Sequence, residues 1–406
     1  MEIIADLQIH SRYARATSNQ ISIDNLEKYA KIKGVNLLGT GDFQHPKWFE
    51  EINKNLTEDS NGILYTKNKF PFLWQTEVSL MYSQDGKRRA VHLLIFSPNT
   101  EISNKIIKYL GSKGRLDYDG RPIFGVSCID IVKDLKEIDD KIEIIPAHCM
   151  TPFFGIFGSK SGFNSLADCF KDQVNKIYAI ESGMSATPDM LWRFKENINI
   201  VSFSDAHSFW PWRLGREATI FDIPKLNYDN IIKAIRTGQG LKSTIETFAE
   251  YGKYHWDGHR NCNFSCSSEE TKKLNGICPK CKKPLTVGVE YRVEEIAKEP
   301  QGYKPKNFIP FKTLLPLSEL IAAFHGINQL YSKKVWETYN NLIKNFNSEF
   351  NILLDVDAED LKKVVDEKLA DLIIKNREGK LEVKPGYDGV YGELVYKKSE
   401  KQKKLI

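Results

Sequence analysis

Ionisable side chains recur where short apolar runs of this sequence end. The run "VSFSDAH", residues 201–207, delivers Asp205 and His207, and the run before it ends at Glu181. Earlier runs carry Gln8, His10, Asp42, Glu77, His92 and His148 at or near their ends. Imidazole nitrogens and carboxylate oxygens are ligands of zinc, manganese or iron, and a carboxylate can bridge two ions. The pattern indicates a metal centre, with Glu77 as the candidate bridging ligand.

Two such ions would polarise a phosphoryl oxygen, generate hydroxide near neutral pH and stabilise a leaving oxygen, which is the chemistry of phosphoester hydrolysis. Asp205 and Asp42 are the candidate catalytic residues. The predicted metal ligands are Gln8, His10, Glu77, His92, His148, Asp205 and His207. One histidine at a strand end is more often only a hydrogen-bonded polar group, so the prediction depends on the recurrence.

The elements that must position these residues alternate β-branched runs with amphipathic helical stretches up to about residue 245. Repeated strand–helix units of this number favour a parallel (β/α) barrel, in which the carboxyl ends of the strands converge on one face. An open doubly wound sheet is the alternative, but no glycine-rich dinucleotide fingerprint follows the first strand.

A cysteine-rich insert follows this region. Its spacing is C-x3-C-x11-C-x2-C, formed by Cys262, Cys266, Cys278 and Cys281. Four thiolates complete the tetrahedral coordination of a structural zinc ion, and a disulfide pair is the alternative. The lysines of this insert, Lys280, Lys282 and Lys283, would meet phosphates or be solvated.

Length and composition predict a large cytoplasmic protein of several domains. The 406 residues exceed the roughly 250–300 that one core supports, and we predict a barrel over 1–245, a zinc-binding domain over 246–304 and a helical domain over 305–406. The net charge of +5 permits a polyanionic partner without requiring one. No apolar run approaches the ~20 residues of a membrane span. The amino terminus does not resemble a signal peptide, and the basic tail from residue 396 is expected to fray.

The order of the motifs "DLQIHS", "GTGD", "TEVSL", "VHLLIF", "IPAH", "ESG" and "SDAH" resembles the polymerase-and-histidinol-phosphatase (PHP) family of metal-dependent phosphoesterases. Together with "TPFFGIFGSKSGF", "LGREAT", the cysteine insert and "PGYDGVYG", it resembles the endonuclease Q family over almost the full chain. The resemblance implies a distorted (β/α)7 barrel with two, or three, divalent metals (Zn, Mn or Fe) at its mouth and one structural zinc.

The resemblance assigns metal contact to His10, Glu77, His92, His148, Asp205 and His207. Two departures from the PHP pattern stand out. Gln8 replaces the first histidine of H-x-H, and Phe43 follows Asp42 where many PHP proteins have a histidine. Because Gln8 offers only a neutral amide oxygen, a third metal is less well supported than the first two.

The implied activity is hydrolysis of the phosphodiester 5′ of a deaminated base (hypoxanthine, uracil or xanthine) or of an abasic site, by a DNA repair enzyme that is nucleoid-associated when it acts on DNA. The damaged nucleotide would have to turn out of the stack, which costs a few kcal/mol. The candidate DNA contacts are Lys160, Trp210, Trp212, Arg213, Arg216 and Arg260. The candidate residues of a base pocket are Tyr254, His255, Trp256, His259 and Arg260. The alternative for these groups is core or hinge packing.

Two other functions stay open. A small-molecule phosphatase of the histidinol-phosphate type would share the metal centre but would not need the zinc insert. A non-catalytic DNA-binding protein is motivated by Gln8. A sliding clamp as partner also stays open, although the tail contains no clear clamp-binding peptide. The sequence does not indicate the oligomeric state.

Overall fold

The computed structural model describes residues 1–396. The basic tail predicted to fray lies, apart from its first residue, outside the described residues. No helix within 1–396 is both long enough and apolar enough to cross a membrane.

The first part of the chain alternates strands and helices, as the sequence predicts. Its strands are β1 (Glu2–Asp6), β2 (Leu37–Gly39), β3 (Thr57–Glu58), β4 (Leu64–Tyr65), β5 (Pro71–Leu73), β6 (Gln75–Gln84), β7 (Lys87–Phe96), β8 (Ile123–Phe124), β9 (Glu143–Pro146), β10 (Ala179–Glu181), β11 (Asn199–Val201), β12 (Ala218–Asp222) and β13 (Leu241–Glu246). Its α-helices are α1 (Ile23–Lys33), α2 (Pro46–Asn55), α3 (Thr100–Lys113), α4 (Cys128–Ile138), α5 (Leu166–Phe170), α6 (Pro188–Trp192) and α7 (Tyr228–Thr237), with a 3-10 helix at Lys171–Lys176.

The rest of the chain holds the cysteine-rich segment and a mainly helical region. The strands are β14 (Asp257–His259), β15 (Phe264–Cys266), β16 (Phe311–Thr313), β17 (Val383–Lys384) and β18 (Glu393–Leu394). The α-helices are α8 (Ser268–Lys273), α9 (Val289–Ile296), α10 (Leu317–His325), α11 (Lys333–Phe346), α12 (Glu349–Leu354), α13 (Ala358–Val364) and α14 (Glu367–Arg377), with 3-10 helices at Ala249–Tyr251 and Arg260–Cys262. The coarser prediction, a mixed α/β protein with a helical C-terminal region, is confirmed.

Local sequence signals explain where the helices begin and end. In α1 the side chain of Ser22 accepts a hydrogen bond from the Asn25 N–H, and Gly34 ends the helix in the left-handed region at φ 94°. Leu26 and Ala30 are buried on one face of this helix. The outer helices therefore pack on the strands through apolar faces of the predicted kind.

The hydrogen-bonded strands form several sheets. Eight strands follow the order β16-β13-β12-β1-β2-β5-β4-β3, four follow β8-β6-β7-β9, and β10 pairs with β11. The prediction of a parallel barrel is wrong for β7, which is antiparallel to both β6 and β9. The reason is a long hairpin, in which β7 returns along β6 instead of following a crossover helix.

Strand ends from different sheets nevertheless meet at one place. His10 N–H donates to the Ala206 carbonyl at 3.0 Å, and Cys149 N–H donates to the Glu181 carbonyl at 2.9 Å. A third bond joins the end of β9 to β7, since Ala147 N–H donates to the His92 carbonyl at 3.0 Å. These bonds join the chain after β1 to the segment after β11, the end of β9 to the middle of β7, and the chain after β9 to the end of β10, and they bring the ionisable residues together.

The predicted domain boundaries stay predictions, but two contacts cross them. The strand β16 pairs in parallel with β13, so the third segment extends the large sheet. Tyr387 bridges to Trp256, and its hydroxyl donates to Asn263 Oδ1 at 2.8 Å. The C-terminal turn therefore packs on the cysteine-rich segment.

Candidate active site

Three of the strand-end residues lie in the left-handed backbone region. The φ angles are 38° for Asp42, 30° for His148 and 48° for Asp205. Positive φ is uncommon outside glycine, although Asp and His tolerate it better than most residues. Gly183 packs so closely on His148 that a Cβ atom there would lie 2.6 Å from the His148 Cβ. Such strained backbone is typical of functional sites, and here it occurs where the chain leaves the strands.

The first donor group consists of His10, Asp205 and His207, whose ligand atoms all lie within 4.8 Å of one another. His10 Nε2 is 3.0 Å from Asp205 Oδ1 and 3.1 Å from Glu77 Oε2. On the other side of the ring, His10 Nδ1 is 2.9 Å from Asp42 Oδ1. Asp42 therefore contacts the back of the His10 ring and orients it, as carboxylates do behind metal-binding histidines. This position favours a positioning role over the predicted catalytic role for Asp42.

The second donor group consists of Glu77, His92 and His148. Glu77 Oε1 is 2.6 Å from His92 Nδ1 and 3.3 Å from His148 Nε2. The outer nitrogens are held by hydroxyls, with Ser79 Oγ 2.7 Å from His92 Nε2 and Thr151 Oγ1 2.8 Å from His148 Nδ1. Since Oε1 faces this group and Oε2 faces His10, Glu77 lies between the two groups, at the place of a bridging ligand.

Excess negative charge surrounds the buried His10 ring. Burial lowers the pKa of His10, but the carboxylates of Asp42, Asp205 and Glu77 together outweigh this effect and hold the pKa well above its ordinary value. Burial raises the pKa of Glu77, yet Arg121 and His92 hold it well below its usual range. Burial lowers the pKa of His92 to about 3, so its ring is neutral and has a lone pair for a metal. The cluster is anionic and attracts cations.

The residues present fit divalent metals. Gln8 Nε2 donates to Glu77 Oε2 at 3.0 Å, and Gln8 Oε1 is buried without a hydrogen-bond partner in the described part of the chain. A buried acceptor without a donor is unfavourable by roughly 1–3 kcal/mol, and a cation would satisfy it. The donor set of imidazoles, carboxylates and one amide oxygen suits zinc, manganese or iron.

Several residues of the site have no signal in the sequence. Arg121 Nη1 lies 3.4 Å from Glu77 Oε1 and brings a positive charge into the cluster.

Asp6 accepts from the Ser204 N–H at 3.0 Å and from the Gly215 N–H at 2.8 Å. Asp6 thereby anchors both ends of the loop that carries Asp205. Burial raises the pKa of Asp6 to about 6, while these hydrogen bonds oppose that rise.

Glu181 ends β10 but lies outside both donor groups. Its carboxylate accepts hydrogen bonds from the backbone N–H groups of His148, Gly183 and Phe203. Burial, and then the neighbouring Glu217, raise the pKa of Glu181 well above its ordinary value. Glu181 therefore shapes the backbone at His148 and contributes no free oxygen to the site.

A pocket of about 280 Å³ adjoins both donor groups. His148, Asp205 and Arg216 line its metal side, and Tyr254 and Phe153 line the other. Arg216 Nε donates to the Ser204 carbonyl at 3.0 Å, whereas its Nη1 has no hydrogen-bond partner among residues 1–396. The size is near the lower end of small-molecule sites. A larger groove of about 1140 Å³, beside Trp192 and Phe308, shares no residue with the donor groups.

The predicted DNA contacts divide into two sets. Trp210 and Trp212 stack on each other at 5.1 Å and both pack against Trp336 of α11. Trp212 is only 8% exposed, so these rings form a contact between the first and last regions, which favours the packing alternative over DNA contact. The basic residues remain candidates: Lys160 and Arg260 are exposed, Arg216 lines the pocket, and Arg213 lies over the Tyr391 ring.

The cysteine-rich segment assembles a donor set that differs from the predicted one. His259, Cys262, Cys278 and Cys281 have ligand atoms within 4.8 Å of one another. His259 Nδ1 is 3.1 Å from Cys262 Sγ and 3.2 Å from Cys281 Sγ, while Cys266 Sγ is 3.2 Å from Thr271 Oγ1. Burial raises the pKa of Cys278, but N–H groups of Cys281 and Lys280 lower it to about 6, which favours the thiolate.

The geometry of the β14–β15 hairpin explains why His259, and not Cys266, lies close to the other three cysteines. His259 pairs with Phe264 next to the turn, whereas Cys266 pairs with Asp257, two residues farther along the strands. Two residues of strand span about 6.6 Å. Cys266 therefore lies outside the group, and we propose His259 with the other three cysteines as the zinc ligands in place of the predicted four-cysteine set.

We expect His259→Ala to weaken zinc binding by at least about tenfold, because it removes one of four ligands, and Cys266→Ala to leave it unchanged. The measurement is zinc release into a colorimetric chelator during a competition titration. Zinc loss in Cys266→Ala with full retention in His259→Ala would restore the four-cysteine assignment.

The fold and the two donor groups place this chain among mixed α/β proteins with an imidazole–carboxylate centre at the ends of their strands. Comparison with known proteins then specifies the family. The lesion-specific endonuclease PfuEndoQ from Pyrococcus furiosus is 32% identical, with a TM-score of 0.87, and the match covers 97% of this chain and 95% of that one. A structure of Endonuclease Q in complex with a 27-mer duplex substrate, with an abasic lesion at the active site, is also 32% identical, with a TM-score of 0.88 and coverage of 98% and 97%. The chain belongs to the endonuclease Q family.

Two further matches concern an archaeal protein. Residues 316–380 match the family model described as the MJ0043 C-terminal domain. The uncharacterized protein MJ0043 of Methanocaldococcus jannaschii is 32% identical over 341 residues, which are 81% of this chain and 41% of that protein. This chain therefore spans about two-fifths of the length of that relative.

Proposed function

We propose that this protein is a metal-dependent DNA endonuclease that cuts one strand on the 5′ side of a deaminated base or an abasic site. The observation that carries the proposal is the position of Glu77 between two donor groups, both of which adjoin the pocket. Family membership supports DNA as the substrate, since a relative at 32% identity was solved on a duplex with an abasic lesion at its active site. The distorted (β/α)7 barrel of the family is the architecture that we infer for residues 1–245.

The side chains of the site hold and orient the reacting groups. Divalent ions, when bound by the two groups, would supply Lewis-acid polarisation of the scissile phosphate and lower the pKa of the attacking water. Asp42 and Ser79 fix the rings of His10 and His92 from behind. Arg216 lines the pocket, and its guanidinium group would donate to a phosphate oxygen there. Hydrolysis then joins the water oxygen to phosphorus and breaks the bond to the 3′ oxygen of the upstream nucleotide.

The pocket has room for one extruded nucleotide rather than a stacked pair. Turning a nucleotide out costs a few kcal/mol, and less at a mismatched or missing base, so that cost itself selects for lesions. Phe153 is 49% exposed and offers a face for stacking beside Tyr254. Hypoxanthine, uracil and xanthine each carry a carbonyl oxygen where the parent base has an amino group, and the Lys253 ammonium on the pocket wall can donate to it.

The test uses end-labelled duplexes that contain one deoxyinosine, one deoxyuridine, one abasic site or no lesion, with p-nitrophenyl phosphate as a small ester. With Mn²⁺ or Zn²⁺ we expect a nick 5′ of each lesion, no nick in the undamaged duplex, and complete loss of nicking in EDTA. Asp205→Asn should lower the rate by about 10³-fold, because it removes an anionic oxygen from the first group.

Two results would contradict the proposal. Hydrolysis of the small ester alone would identify a small-molecule phosphatase. A duplex that is bound and retarded but never cut would identify a non-catalytic DNA-binding protein.

A further inference from the structure

A strongly polar cavity surrounds the tip of the β6–β7 hairpin. Its volume is about 710 Å³, and its walls come from the hairpin tip, the loop 158–164 and helix α9. The cationic residues that line it are Lys87, Arg88, Arg89, Lys160 and Arg292, and the acidic ones are Asp85, Asp168 and Glu295. It shares no lining residue with the pocket beside the metal centre.

Part of this charge has a structural role. Arg292 is buried and bonds to Glu295 Oε2 at 2.5 Å and to the carbonyls of Phe157 and Phe163 at 2.9 and 3.0 Å. Arg89 lies 3.9 Å from the centre of the Phe163 ring and donates to a carbonyl of the same loop. These two guanidinium groups fix the loop 158–164 against the hairpin.

Three of the five cationic residues that line the cavity have no such structural role. Lys87, Arg88 and Lys160 are exposed, and none of them forms an ion pair within residues 1–396. The nearest acidic residue of the tip, Asp85, pairs with Lys171 at 3.0 Å. The surface around the cavity is therefore net positive and polar, which fits phosphate groups better than bases or apolar peptides.

The hairpin presents these charges from a fixed position. Gln84 Nε2 donates to the Asp168 carbonyl at 2.8 Å, and Ser161 Oγ donates to the Ala90 carbonyl at 3.2 Å. These bonds tie the tip to α5 and to the loop. A charge on an anchored strand loses less conformational entropy on binding than one on a free tail.

The hairpin also extends away from the metal centre. Beyond Leu80 the strands pair only with each other, because β9 pairs with residues 93–96 and β8 with residues 79 and 80. From Glu77 to Gln84 there are seven residue steps, or about 23 Å at roughly 3.3 Å per residue. B-DNA rises 3.4 Å per base pair along each strand, so this reach equals roughly seven base pairs.

We propose that Lys87, Arg88 and Lys160 form a second DNA site, which binds the phosphate backbone of one duplex arm roughly seven base pairs from the scissile bond. The proposal rests on the proposed function. The site reads no sequence, because phosphate contacts position a protein on DNA without distinguishing bases. It makes affinity depend on the length of one arm and on salt.

The test compares Lys87→Ala/Arg88→Ala with the matched control Lys108→Ala/Lys233→Ala, which removes two exposed lysines from α3 and α7. Single-turnover nicking is measured on lesion duplexes with two short arms of four base pairs, or with one arm extended to twelve on either side. On one of the long-arm duplexes, we expect the hairpin variant to need about tenfold more enzyme for half-maximal rate. Its salt dependence should fall by about two in the log–log slope, or 0.9 per phosphate contact.

The maximal rate, and all results on the short duplex, should match the wild type. A hairpin variant that behaves like the control on every duplex would overturn the second site, as would an equal loss on short and long duplexes. Failure of the proposed function looks different, since the wild type would then cut none of these duplexes.

Discussion

Glu77→Gln is expected to lower lesion-specific nicking by at least about 10³-fold and to reduce the metal content of the active site. The substitution keeps the shape of the side chain but removes the carboxylate that faces both donor groups, at 3.1 Å from His10 Nε2 and 2.6 Å from His92 Nδ1. Loss of one preorganised electrostatic group typically lowers the rate by 10²–10³, and here two groups lose a ligand at once.

The matched control is Glu246→Gln. Glu246 is equally buried but accepts from the hydroxyls of Ser182 and Ser202, at 2.9 Å each, which can rotate to suit an amide. Metal content by mass spectrometry and nicking rate should be normal in this variant. A Glu77→Gln enzyme that retains its metals and nicks at the wild-type rate would exclude Glu77 as the bridging ligand.

Lys33→Met is expected to destabilise the protein by about 3–5 kcal/mol, because removal of one partner leaves a buried charge uncompensated. Lys33 Nζ donates to Glu349 Oε1 at 2.6 Å and to the Pro211 carbonyl at 2.8 Å, and both side chains are fully buried. Pro211 lies between the two tryptophans that pack on α11, so this ion pair connects α1, the loop after Asp205 and the C-terminal region.

Denaturant unfolding, followed by tryptophan fluorescence at the Trp210–Trp212–Trp336 contact, measures this effect. The control Lys31→Met breaks the pair with Glu27 on the same helix, in which the lysine side chain is half-exposed to solvent, and should destabilise the protein much less than Lys33→Met. The double variant Lys33→Met/Glu349→Gln should recover much of the loss, because no uncompensated charge remains. Equal destabilisation by Lys33→Met and Lys31→Met would show that the buried pair contributes little.

The strand ends could be predicted from the sequence, because an apolar run followed by an ionisable residue is a local pattern. The direction of β7 could not. The run "AVHLLIF" has the same composition in either direction, and only the pairing of Ser79 with His92 in a hairpin reveals that it is antiparallel. The early turn "QDGK" at residues 84–87 was the available signal, since Asp-Gly between alternating residues is typical of hairpins.

Residues that act through distant partners could not be predicted either. Asp6 and Ser204 are 198 positions apart, and Arg121 and Glu77 are 44 apart. Neither pair has a spacing motif, because the fold alone brings them together. The same limit applies to Trp212, whose covering residue, Trp336, lies on a helix of the last region.

Metal-ligand motifs predicted the chemistry of each site better than they predicted which residues are its ligands. Thiols at close spacing predict zinc, yet the choice between Cys266 and His259 depends on where the hairpin turns. Gln8 illustrates the opposite case. Its place in the sequence suggests a poor ligand, and the structure adds a buried amide oxygen without a donor, which a metal would satisfy.

The central claim is that Glu77 joins two metal positions beside the pocket that His148, Asp205 and Arg216 line. Anomalous diffraction from crystals grown with Mn²⁺ tests it most directly. We expect two peaks, one between Glu77 Oε2, His10 and Asp205, and one between Glu77 Oε1, His92 and His148. Peaks found only elsewhere on the protein, with neither Glu77 oxygen in contact, would contradict the account.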